Sequence, residues 1–142
     1  MGTFTVPVQV GDLAGQQFIG IEALTDSGAT YTVLPEDVLA RLGVPPVERR
    51  AFQLADDRTI EYQVGHVRLR LEGHELIVLA VFAPEGTMPL LGATTLELFS
   101  LSVDPVHRRL VLVPALLKVA KLFIAVYPTG SSSPFPKPLT GS

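Results

Sequence analysis

The chain has no cysteine, so it builds neither a disulfide nor a thiolate metal site, and thiol usage gives no reading of its redox compartment. Basic charge is also scarce. Eleven Lys and Arg against 14 Asp and Glu leave a net charge of −3, and nucleic-acid binding needs a basic face, so that partner class is set aside. The three histidines, His66, His74 and His107, are scattered, and none stands at metal-ligand spacing from another histidine or an acid. No metal is expected. No glycine-rich phosphate loop appears and no cofactor is expected, and Ser27 lacks the Gly-x-Ser-x-Gly elbow of a serine nucleophile. No apolar run is long enough to cross a membrane. Residues 116–127 are interrupted by Lys118 and Lys121 and fall short of the ~20 residues that a spanning helix needs. They read as a packing or interface segment. Residues 1–5 show no basic region leading into an apolar core, so the expected location is cytoplasmic.

What is present describes one β-rich core. The 142 residues are 47% hydrophobic and 18% charged, with 12 Gly and 12 Pro, the composition of a compact domain with many turns. Phe4, Val6, Val8 and Val10 alternate with polar residues as in a half-buried strand, and Pro7 argues for an edge. Residues 11–15 form a turn and 17–24 a second strand. Residues 31–34 have strand composition, and Pro35-Glu36-Asp37 then opens a short helix whose apolar face is Val38, Leu39 and Leu42, ended by Gly43. Residues 51–55 and 59–64 flank Asp56-Asp57-Arg58 as a hairpin with a polar tip. Taken alone, that is an ordinary solvated hairpin. Residues 67–71 alternate as a separate strand, Glu72-Gly73-His74 turns the chain, and 76–82 is continuously apolar, as in a strand covered on both sides. A short helix over 93–99 buries Leu96 and Phe99, and 101–103 with 110–113 make a terminal hairpin. No repeat period is found, and the strand density predicts an all-β closed domain with one or two short helices.

Two stretches carry the chemistry. The apolar segment 18–24 runs through Thr25 into Asp26-Ser27-Gly28-Ala29-Thr30, placing one carboxylate in a turn made of turn-favouring residues. By itself this is a surface turn between strands. Further on, Leu90-Leu91-Gly92 puts two large aliphatics before a glycine at the start of a helix. In this order and separation the two stretches resemble the retropepsin-like aspartic proteases, the single-domain relatives of retroviral protease, over residues 4 to about 113.

The resemblance implies a closed retropepsin-like β-barrel over residues 1–114; composition adds an apolar extension over 115–127, a packing or dimer-interface segment, and a flexible Pro/Ser/Gly-rich tail over 128–142. The resemblance also implies an endopeptidase in which two carboxylates share a proton, one drawing a proton from water and the other polarising the scissile carbonyl. The chain has a single Asp-Ser-Gly, so Asp26 of a second, two-fold-related copy would supply the other carboxylate. Ser27 would bond across the dimer beneath the dyad, Gly28 would offer an amide to it, and Ala29 and Thr30 would complete the support. Leu54, Ala55, Asp56, Asp57 and Arg58 would form a flap over a peptide or protein substrate, and Leu90, Leu91 and Gly92 would pack beside the catalytic turn. Two features depart from the family pattern. Thr25 replaces an aliphatic residue, and Thr30 and Ala93 stand where retroviral enzymes carry an acid and an arginine that pair within a subunit, which leaves the dimer to be supported by the terminal hairpin or by 116–127. The alternative is a domain of the same fold that binds peptides or dimerises with little or no catalysis.

Overall fold

The computed structural model describes residues 3–114. The expected extension over 115–127 and tail over 128–142 lie outside the described residues. The described chain is mostly β, with nine strands and two helices of six residues each.

Strand β1, Thr5–Gly11, buries Val6, Val8 and Val10 on one face and pairs antiparallel with β2, Phe18–Thr25. Asp12 ties the turn between them, its Oδ1 accepting the amides of Gln16 and Gln17 at 2.8 and 3.1 Å. The other edge of β1 meets β5, Thr59–Leu71, only over Gln9–Gly11. Pro7, which has no amide to donate, therefore lies where β1 has a neighbour on one side alone, in keeping with the expected edge position.

After the Asp26 turn come β3, Thr32–Pro35, and α1, Glu36–Arg41, with Pro35 directly ahead of the helix and Val38, Leu39 and Leu42 buried as the spacing predicts. Strand β4, Glu48–Gln53, pairs with the first half of β5, and β6, His74–Ala83, pairs with the second. The turn between β5 and β6 holds Glu72 and Gly73 at φ 51° and 79°, the left-handed pair that suits a tight hairpin. A short strand β7, Leu90–Leu91, lies between β2 and β3, and α2, Ala93–Leu98, follows it. Leu96 and Phe99 are buried, as expected. Strands β8, Leu101–Asp104, and β9, Arg109–Leu112, form a separate two-stranded sheet. In the main sheet the neighbours run β1-β2-β7-β3-β6-β5-β4, and β5 also returns to β1.

Two expectations need correcting. Residues 59–64 and 67–71 are not separate strands but one strand of 13 residues. Gly65 is not a break: a Cβ there would lie 2.9 Å from the Pro45 carbonyl oxygen and 3.0 Å from the Phe82 ring, so the missing side chain lets β5 pass close beneath its neighbours. The apolar run 76–82 is not covered throughout. Leu76 and Ile77 are 38% and 48% exposed, because β3 reaches only Ala80–Ala83 and leaves the first half of β6 with one neighbour.

Candidate active site

The local sequence explains how Asp26 reaches its place. Strand β2 ends at Thr25, which is buried, and both its amide and its hydroxyl donate to the Phe4 carbonyl, at 2.9 and 3.1 Å. The hydroxyl that departs from the family pattern thus has a partner, which removes most of the penalty of burying it. The chain then turns. Gly28 donates its amide to Asp26 Oδ1 at 2.9 Å, and Ala29 donates to the Asp26 carbonyl at 3.1 Å. Asp26 is half-buried, while Ser27 and Gly28 are exposed. A Cβ on Gly28 would stand 3.2 Å from Asp26 Oδ1, so a larger residue would crowd the carboxylate.

The second stretch clamps this turn through the backbone. Leu90 and Leu91 run parallel to Leu24 and Thr25, and the Asp26 amide donates to the Leu91 carbonyl at 3.2 Å. Beyond Gly92, Ala93 donates to the Ala29 carbonyl at 2.7 Å and Thr94 to the Thr30 carbonyl at 3.1 Å. Every residue from Asp26 to Thr30 other than Ser27 and Gly28 is thereby joined to 91–94. Gly92 is required by contact: a Cβ there would lie 2.5 Å from the Tyr31 carbonyl carbon and oxygen. Its amide donates to the buried Thr32 hydroxyl at 3.1 Å, and that hydroxyl also meets the buried Thr95 hydroxyl at 2.5 Å.

Asp26, Ser27 and Gly28 line a cavity of about 410 Å³ together with Thr3, Val103 and Pro105. The terminal hairpin therefore contributes to the site, which its sequence did not signal. A larger cavity, about 690 Å³, opens elsewhere, beside Gly20 and the turn between β5 and β6. None of the expected site residues lines it.

The tip Leu54–Arg58 is exposed throughout and does not line the Asp26 cavity. It closes without glycine: Leu54 donates to the Arg58 carbonyl at 2.7 Å, Asp57 takes φ 67°, and Arg58 Nε pairs with Asp56 Oδ2 at 2.6 Å. The base of this hairpin is fixed near the site, where the Phe52 ring meets Tyr31 edge-on at a centroid distance of 5.4 Å. Among the described residues no group of three His, Asp or Glu side chains is placed to hold a metal. His107 instead bonds Asp104 at 2.8 Å and, with its own amide, holds that carboxyl below its ordinary value.

Comparison with known proteins supports the family. The family model described as "gag-polyprotein putative aspartyl protease" matches residues 11–97, and the chain belongs to that family. Among solved structures, the solution structure of simian foamy virus (mac) protease matches with 18% identity, covering 66% of this chain and 94% of that one at a TM-score of 0.47. No match is found among curated proteins. No helix of the described residues is long and apolar enough to cross a membrane.

Proposed function

We propose that the chain is one half of a homodimeric aspartic endopeptidase, in which Asp26 from each of two copies forms the catalytic dyad. Membership of an aspartyl protease family supports the reaction class. The observation that carries the residue assignment is the turn itself: Asp26 accepts the Gly28 amide at 2.9 Å and is tied through its own amide to Leu91, at the edge of a cavity.

Two carboxylates a few ångströms apart do not both ionise, so the pair holds one proton. The ionised member takes a proton from water as its oxygen adds to the scissile carbonyl carbon, while the protonated member gives its proton to the carbonyl oxygen. Collapse of the tetrahedral species breaks the C–N bond: the first carboxyl gives the departing amine the proton it took from water, and the second regains a proton from the diol hydroxyl, which restores the shared-proton pair. The dimer, the flap role of Leu54, Ala55, Asp56, Asp57 and Arg58, and the bond of Ser27 across the two-fold axis belong to this proposal. So does the closed barrel, which the pairing circuit from β1 through β2, β7, β3, β6 and β5 back to β1 supports. The substrate is an extended peptide held by strand-like backbone bonds, with apolar pockets selecting side chains.

The test is cleavage of a peptide library between about pH 4 and 6, the range of a shared-proton dyad. Asp26→Asn is expected to abolish cleavage while the protein remains folded. In mixtures of the two proteins, activity should fall as the square of the wild-type fraction. A linear fall, or full activity in Asp26→Asn, would overturn the proposal. A dimer that binds peptides and never cuts them would establish the non-catalytic alternative instead.

A further inference from the structure

Two threonines lie behind the Asp26 turn, 63 residues apart in sequence, with their hydroxyl oxygens in contact at 2.5 Å. Thr32 opens β3 and Thr95 sits in α2, and they are 1% and 2% exposed. Burying hydroxyls this deeply is unfavourable unless each finds a partner, and an apolar residue of similar size would fit the same space at no such penalty. Their arrangement points to what they hold. The Thr32 oxygen also accepts the Gly92 amide at 3.1 Å, and Gly92 begins the segment whose neighbours bond Asp26, Ala29 and Thr30 through the backbone. Gly92 has no side chain with which to anchor itself, and the Tyr31 backbone leaves no room for one. The hydroxyl bond is thus the only side-chain hold on the residue where β7 passes into α2, among the described residues.

We propose that Thr32 and Thr95 are positioning residues for catalysis: an uncharged clamp, joining β3 to α2 through the Gly92 amide, that fixes the height and orientation of the Asp26 turn. This rests on the assignment of Asp26 as the catalytic carboxylate. The clamp acts at a distance, through Gly92 and Leu91, so its loss displaces the carboxylate without removing any group that touches substrate. A shift on the order of 1 Å in such a group costs about 100-fold in rate.

The experiment compares Thr32→Val, Thr95→Val and Thr32→Ser in the full chain by peptide kinetics and by site-resolved amide exchange. Thr32→Val leaves both the Gly92 amide and the Thr95 hydroxyl without a partner. It should lower kcat by about 10-fold or more with KM changed less than about twofold, the pattern of a lost transition-state geometry. Thr95→Val keeps the bond to Gly92 and should have a smaller effect of the same kind. Thr32→Ser restores the hydroxyl and should recover kcat to within about threefold of wild type. In the exchange arm, Thr32→Val should speed exchange at Gly92 and Asp26 while the paired amides of β5 and β6 keep their protection. Unchanged exchange at the turn, uniform acceleration over the whole molecule, or failure of Thr32→Ser to recover would overturn the clamp. If wild type cleaves no peptide, the enzyme reading fails, and the exchange arm still decides whether the clamp exists.

Discussion

Asp26 owes its placement to neighbours that carry no charge. Its amide bonds Leu91, its side chain accepts from Gly28, and the carbonyls of Ala29 and Thr30 accept the amides of Ala93 and Thr94. Such a turn is sensitive to volume more than to electrostatics. Gly92→Ala puts a methyl 2.5 Å from the Tyr31 backbone, where no flexible side chain can yield, and overpacking of this kind costs about 1–3 kcal/mol. A lowered denaturation midpoint together with a drop in kcat is expected, and a wild-type midpoint would show that Gly92 has room. At this scale the sequence was legible where chemistry is spelled in consecutive letters, as in Asp26-Ser27-Gly28 and Leu90-Leu91-Gly92. It was silent about Thr32 and Thr95, because nothing local says that two hydroxyls 63 residues apart will meet in the core. Val103 and Pro105 were equally hidden, since their place beside Asp26 depends on how the terminal hairpin folds back.

Among the elements, the hairpins differ in what holds their turns. The β4 to β5 tip is exposed at every residue from Leu54 to Arg58, while its base is held by Phe52 against Tyr31. Leu54→Ala is therefore expected to leave stability within about 0.5 kcal/mol of wild type and to raise KM for peptide substrates. An unchanged KM would remove Leu54 from the flap contacts. The β8 to β9 turn behaves differently, because Asp104 accepts the side chain and amide of His107 and the amide of Val106, which together lower its pKa. A carboxyl lowered in the folded state contributes stability above its unfolded value, about 3.9, and loses it as the pH falls through the lowered value. His107→Ala should accordingly unfold earlier than wild type at about pH 6, with the two midpoints drawing together as the pH falls through the lowered Asp104 value. A difference between midpoints that stays the same across that fall would contradict this. Turn chemistry made these hairpins readable in advance, since Glu72-Gly73 and Asp104-Pro105 are turn pairs on any backbone. The continuity of β5 was not readable, because Gly65 looks like a break until the Pro45 carbonyl and Phe82 ring are seen above it.

For the whole molecule, the sequence holds a single Asp-Ser-Gly, so the proposed dyad requires a second copy of the chain. The mostly β character followed from alternation in residues such as 4–10 and 67–71 and from the continuously apolar run 76–82, but the return of β5 to β1, which brings together residues such as Gln9 and Arg70, has no signature in the sequence. Long-range pairing of that kind is decided by which edges the rest of the sheet leaves open. Assembly is likewise a property of surfaces, and Ser27 and Gly28 are exposed beside the Asp26 carboxylate, as the proposed dimer requires. The most direct measurement is the separation of the two Asp26 carboxylates in a crystal structure of the assembled protein at acid pH. The carboxyl oxygens are expected within about 3 Å of each other across a two-fold axis, the spacing at which two carboxyls share one proton. A monomer in the crystal and in solution, or a dimer that holds the two carboxylates well beyond hydrogen-bond reach, would contradict the proposed dyad.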